Sequence, residues 1–120
     1  MNGTIKWLEE PRESNYPAAL SYLLLVFSNA TEIVERLKKA QVTQFKAKDI
    51  FRASGLSLLG VSNSHVKKDL SKIADGQALS PILLVRREGE KVVIADGYHR
   101  MCAVYSQDED ALIPCKIVSV

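Results

Sequence analysis

Apolar positions along the chain switch between helical and strand-like spacing, and the switches outline its elements. Residues 17–27 follow a helical pattern, with Pro17 acceptable in a first turn. Residues 28–30 interrupt it. Thr31, followed by Glu32, is expected to cap a second helix to about Ala40. Ile33, Val34 and Leu37 form its inner stripe, and Glu32, Glu35, Arg36, Lys38 and Lys39 its solvated face. Two helices so closely joined predict a hairpin. Residues 1–15, polar with one Trp, predict an extended arm with Trp7 and Leu8 tucked onto the domain.

Beyond Ala40 the spacing becomes mixed. Residues 42–48 alternate as a strand, 49–53 suit a helical turn that Ser54 and Gly55 end, and 56–61 suggest an irregular packed loop. Ser62, Asn63 and Ser64 offer caps for a helix from His65 to about Ala74 or Asp75, closed by Gly76. Its buried stripe is Val66, Leu70, Ile73 and Ala74. Residues 81–85 form a nearly continuous apolar run, as in a strand covered on both faces. A turn at 87–90 leads to a partner strand at 92–95. Asp96 and Gly97 open a helix from Tyr98 to about Ser106, with Met101, Cys102, Val104 and Tyr105 inward. An acidic loop at 107–110 precedes a closing strand at 113–118.

Composition narrows the class without naming a chemistry. A chain of 120 residues without a Gly/Ser/Pro-rich divider is one domain, long enough to build a core. Hydrophobic residues at 47% and charged residues at 25% exclude wholesale disorder. Sixteen Lys+Arg against 14 Asp+Glu give +2, too balanced to announce a nucleic-acid or membrane partner. Cys102 and Cys115 have no metal-ligand spacing, so neither a metal site nor a disulfide framework is expected. The run at 20–27, with Ser28, Asn29 and Ala30 after it, mimics a secretory leader. Glu9, Glu10, Pro11 and Glu13 precede it where a leader needs positive charge, and it is too short to cross a bilayer. A buried helix in a cytoplasmic protein is the expectation.

Candidate chemistry gathers at Ile94-Ala95-Asp96-Gly97-Tyr98-His99-Arg100. A strand ends, Gly97 turns the chain, and a helix begins with free backbone amides and two basic side chains in its first turn. Cations normally avoid a helix N-terminus, so an anion is the simplest partner, and a phosphate matches the planar fork of Arg100. The alternative is structural: Arg100 paired with Asp96 or the 107–110 acids, and His99 at a packed corner.

Three stretches carry a resemblance: Ser80-Pro81-Ile82-Leu83-Leu84-Val85, then residues 92–103 with their Gly97-Tyr98-His99-Arg100 motif, then residues 113–118. In order and spacing they resemble the ParB/sulfiredoxin superfamily over residues 62–118. The resemblance implies an α+β fold, a small mixed sheet with packed helices over 41–120; the arm and helical hairpin of 1–40, read from the pattern above, lie outside it. It also implies that His99 and Arg100 hold nucleotide phosphates, with His65, Lys68 and Lys72 contributing from the upstream helix. Helical geometry agrees: those three share one face, roughly opposite the apolar stripe. An ordinary solvated face is the alternative for them. Sulfiredoxins carry their reactive cysteine where this chain has Tyr98, so sulfinic-acid reduction lacks its nucleophile. Cys102 is expected to be a small core residue. The DNA-partition members carry a helix-turn-helix after the motif, and a partition protein is not the expectation for this chain.

Some relatives with similar motifs transfer phosphoryl groups. Asp96 matches their acidic position and would act as a base or metal ligand, or else cap the following helix. The leading expectation is a nucleotide- or phosphate-binding protein, with phosphoryl transfer or nucleotide hydrolysis as its extension. ATP or another nucleotide, with Mg²⁺ arriving on it, is the expected ligand. A DNA-associated module would use Lys46, Lys48, Arg52, Lys67 and Lys68 on phosphates. A protein-interaction module would use the N-terminal helices as a homodimer interface.

Overall fold

The computed structural model describes residues 4–120. Among them are five helices and a four-stranded mixed sheet, in the order α1 (Asn15–Leu23), α2 (Ala30–Lys39), β1 (Thr43–Lys46), α3 (Ala47–Ser54), α4 (Ser64–Ala74), β2 (Ile82–Arg86), β3 (Val93–Asp96), α5 (Tyr98–Gln107) and β4 (Leu112–Ser119). The fold is α+β. The sheet runs β1-β4-β2-β3, with β2 and β4 parallel and the other two pairs antiparallel.

Alternation along β2 divides the core between two faces. Leu83 and Val85, with Val93, Ala95 and Val118, meet Tyr16, Ala19, Leu23, Ile33 and Leu37 of the α1–α2 hairpin. Ile82 and Leu84, with Ile94, Ile113 and Cys115, meet Ile50 of α3, Val66 of α4 and Met101, Cys102 and Val104 of α5. The continuous apolar run at 81–85 is thus covered on both sides, as its composition demands. The arm docks by main chain: Leu79 N–H donates to Lys6 C=O at 2.8 Å and Leu8 N–H to Leu79 C=O at 2.9 Å. Trp7 packs partly buried on the α3–α5 side. The arm's first three residues lie outside the described residues.

Several expectations need correction. The helix at 17–27 ends at Leu23, and 24–26 run on as turns. Leu23 is buried and Leu20 and Phe27 half-buried, but Leu24, Leu25 and Val26 face solvent, Leu25 at 87% exposure. Without a helix to turn them inward, consecutive apolar residues cannot all reach one core. Asn29, rather than Thr31, stands at the N-cap of α2, and its side chain makes no capping bond. The 56–61 loop is not packed: Leu56, Leu58 and Val61 are exposed, and Leu59 alone reaches the core. Ala74 is exposed and Asp69 takes the buried position, because α4 is rotated to present the seam between its apolar and basic stripes.

Candidate functional site

The Gly97 corner is built by the end of β3. The β2–β3 register shifts between Leu83 and Leu84, so that Leu83 pairs with Asp96 and Leu84 with Ile94. The bulge falls just before Asp96 and re-aims the chain as it leaves the sheet. Gly97 has φ +111°, a region closed to most side chains, and a Cβ there would lie 2.8 Å from Ile82 Cγ1. Only glycine lets the strand turn this sharply against Ile82. Gly97 is the N-cap of α5, where no side chain caps the helix and no acid sits in its first turn. The first-turn amides therefore have no partner within the helix.

From the other side comes α4. Asn63 Oδ1 accepts from His65 N–H at 3.0 Å and Val66 N–H at 3.2 Å, fixing where the helix begins. Gly76, at φ +73°, follows its end. His65, Lys68 and Lys72 are thereby turned toward the α5 N-terminus, and the His65 and His99 rings stand 4.7 Å apart. One cleft of about 200 Å³ is lined by His65, Lys68 and Lys72 together with Gly97, His99 and Arg100, all six of the residues expected. Asp69 and Asp96 complete it.

Asp69 was not anticipated. Its signal was its spacing: four residues after His65 it shares that side of the helix, and its charge favours a proton on His99. The net effect on His99 is the reverse. Burial first, then His65 and Arg100, hold its pKa below the ordinary histidine value against Asp69. His99 is thus neutral at pH 7, with one nitrogen to donate and one to accept.

Arg100 adopts the structural arrangement in part. Its Nη2 donates to Asp96 Oδ2 at 2.8 Å and to Pro81 C=O at 3.3 Å. Its Nε is buried without a hydrogen-bond partner. Asp96 does not cap α5: the cap position belongs to Gly97, and the Asp96 carboxylate is spent on Arg100. Tyr98 turns away from the cleft, its hydroxyl donating to Ser57 C=O and so tethering the 56–61 loop. Cys102 is 1% exposed and accepts from Leu59 N–H at 3.5 Å. Burial raises its pKa against that bond, so it is a protonated core thiol.

The donor set does not fit a resident Mg²⁺. Asp69 and Asp96 are the carboxylates of the cleft, and Asp96 is taken by Arg100. Among the described residues no three His, Cys, Asp or Glu side chains form a metal-binding group. The basic residues expected to touch DNA are partly neutralised. Lys48 lies 2.7 Å and Lys46 3.8 Å from Asp110 Oδ1, and Arg52 lies 4.0 Å from Asp49. No described helix is long and apolar enough to cross a membrane. No protein-family model, curated protein or solved structure matches the chain.

Proposed function

We propose that this protein binds the phosphate groups of a nucleotide or a phosphorylated small molecule at the Gly97 corner. One observation carries the reading: residues from two segments more than twenty positions apart, 65–72 and 97–100, line a single cleft at an uncapped helix N-terminus. Lys68 and Lys72 supply fixed positive charge, and the α5 amides supply donors with a favourable dipole. His99 donates a further hydrogen bond. Arg100, held by Asp96, orients the corner and presents the rest of its guanidinium. At about 200 Å³ the cleft is below the usual ~300–1,000 Å³ of whole-ligand pockets. It suits a phosphate chain, with sugar and base lying outside. Any Mg²⁺ then arrives on the phosphates. The neutral imidazole of His99 is the group able to take a proton from an attacking hydroxyl or water, which extends binding to phosphoryl transfer or hydrolysis. The resemblance to the ParB/sulfiredoxin superfamily supports the same placement of phosphates.

Isothermal titration with ATP, CTP and GTP, each with and without Mg²⁺, tests the reading, followed by release of inorganic phosphate. Saturable binding is expected for the wild type and not for His99→Ala/Arg100→Ala. Because Arg100 also holds Asp96, Lys68→Ala/Lys72→Ala serves as a second variant, its fold checked by circular dichroism, and it should weaken binding at least tenfold. The two lysines stand at an exposed and a half-buried position, with no ion pair among the described residues. Failure of a folded wild type to bind any nucleotide or phosphate overturns the proposal.

A second reading, a protein-contact module, is favoured by the exposed run of Leu24, Leu25 and Val26 beside Tyr22. A mass that rises with concentration and is restored to monomer by Leu25→Ser would support a homodimer through the N-terminal helices.

A further inference from the structure

The α3–α5 layer does not cover its face of the sheet completely. Beyond α3, at the carboxyl ends of the parallel strands β2 and β4, a recess of about 350 Å³ remains open. Its floor is Phe45, Ile50, Leu84, Val92 and Ile117, one apolar side chain from each strand or strand end and one from α3. This volume lies within the range of small-ligand pockets, and the floor is continuous with the core.

The rim is charged, and unevenly so. Asp49, Glu88 and Glu90 border the recess. Glu88 and Glu90 have no ion-pair partner among the described residues, and Asp49 meets only Arg52, at 4.0 Å. Arg86 and Arg87 line the recess as well. Arg86 Nε donates to Ser119 Oγ at 3.1 Å. The Arg87 guanidinium lies 5.7 Å from the centre of the Phe27 ring, on the hairpin side of the sheet. Lys91 is drawn over Gly55. Three carboxylates thus outnumber the one guanidinium left on this side, that of Arg86, whose bond to a neutral hydroxyl leaves its charge in place. The Arg87 guanidinium is turned toward Phe27, with its Nε buried and unpartnered.

We infer that this recess is a second binding site, for a small aromatic amine. The ring lies on the Leu84–Val92–Ile117 floor, and the ammonium meets the carboxylates of Glu88, Glu90 and Asp49. A neutral apolar body gains from the floor alone, and an anionic one is opposed by the rim. The site is separate from the phosphate cleft: β2 runs five residues from Ile82, at the Gly97 corner, to Arg86, at the recess, a span of about 13 Å.

Amide shifts in a ¹⁵N-labelled protein titrated with tryptamine and with indole-3-acetate, the same ring with opposite charge, test the assignment. Tryptamine should give saturable shifts at Ala53, Gly89, Glu90 and Val92 with a Kd in the millimolar range, as befits about a dozen non-hydrogen atoms. Indole-3-acetate should bind at least about threefold more weakly, the effect of exposed charges. Glu88→Gln/Glu90→Gln should bring the two ligands together. Ala53→Trp, at an exposed position beside the recess, should abolish both without lowering the melting temperature. Inorganic pyrophosphate should not compete, so this result is independent of the phosphate reading. Absence of saturable shifts at these amides, or equal affinity for the two probes, overturns the inference.

Discussion

Lys116 and Arg100 are both cations beneath the surface of one sheet, and the two faces treat them in opposite ways. Lys116, 2% exposed on the hairpin side, has its Nζ 2.9 Å from Glu10 Oε1 and donates at 2.9 Å to Lys38 C=O. The Tyr16 ring lies 5.7 Å away. Burial lowers its pKa, but Glu10 and Tyr16 outweigh that and hold it above the ordinary lysine value. Its charge is satisfied internally, and it straps the N-terminal arm to β4. Arg100, on the α3–α5 side, keeps an unpartnered Nε and stands beside uncapped amides, two lysines and a histidine pair. Lys116 is closed off by its own partners, whereas Arg100 stands among donors gathered at a corner. An orphaned guanidinium nitrogen does not by itself separate the faces, because Arg87 Nε, beside Phe27 on the hairpin side, is also buried without a partner. The convergence of uncapped amides, two lysines and two histidines around Arg100 is the feature that favours a ligand there.

The largest expected effect lies at the corner itself. Gly97→Ala should destabilise the fold by about 2–4 kcal/mol in urea unfolding, combining a positive-φ penalty with overpacking against Ile82. On the sealed face, Lys116→Ala should cost about 2–3 kcal/mol by leaving a void and unpaired acceptors, whereas Lys116→Met should cost about 1 kcal/mol or less. Glu10 is 64% exposed and stays hydrated without its partner. Equal losses for the two variants would mean that the ion pair, not the packing, holds the arm. Because the pKa of Lys116 is raised, its contribution is constant through neutral pH and is lost only as pH climbs above the ordinary lysine value of 10.5.

His99 sharpens the contrast through pH. Its folded pKa lies below the unfolded value of 6.5, so the unfolded chain binds the extra proton first. Stability should fall modestly as pH drops from 6.5 toward the folded pKa, and His99→Gln should flatten that slope in melting curves. A bound anion reverses the sign: phosphate affinity should rise over the same interval, with proton uptake visible as a buffer-dependent heat of binding. The smallest effect belongs to the hairpin tip, where Leu25→Ser should change stability by less than about 0.5 kcal/mol.

The elements were legible wherever apolar period and capping chemistry agreed. Asn63 and Gly76 bounded α4, Gly55 followed α3, and the covered run at 81–85 became a strand between two layers. Legibility failed where an apolar residue had no helix to carry it inward, as at Leu24, Leu25 and Leu58. The six site residues were brought together as expected, because helical phase on α4 and the Gly97 turn are both local properties. Asp69 was harder, because its place depends on how α4 is rotated against α5, which no single segment states. The Asp96–Arg100 pair, the structural alternative read from the sequence, forms between residues four apart. The recess at the ends of β2 and β4 arises from what the helices fail to cover, and has no local signature.

The most direct test of the phosphate site is an amide-shift titration with inorganic pyrophosphate, which removes base and sugar from the question. The account predicts saturable shifts concentrated on the amides of Tyr98, His99 and Arg100 and along the Lys68–Lys72 side of α4, with the hairpin unmoved and the response much weakened in Lys68→Ala/Lys72→Ala. Shifts absent from residues 98–100, or scattered over the surface lysines without saturation, would contradict it, and Arg100 would then be a structural cation like Lys116.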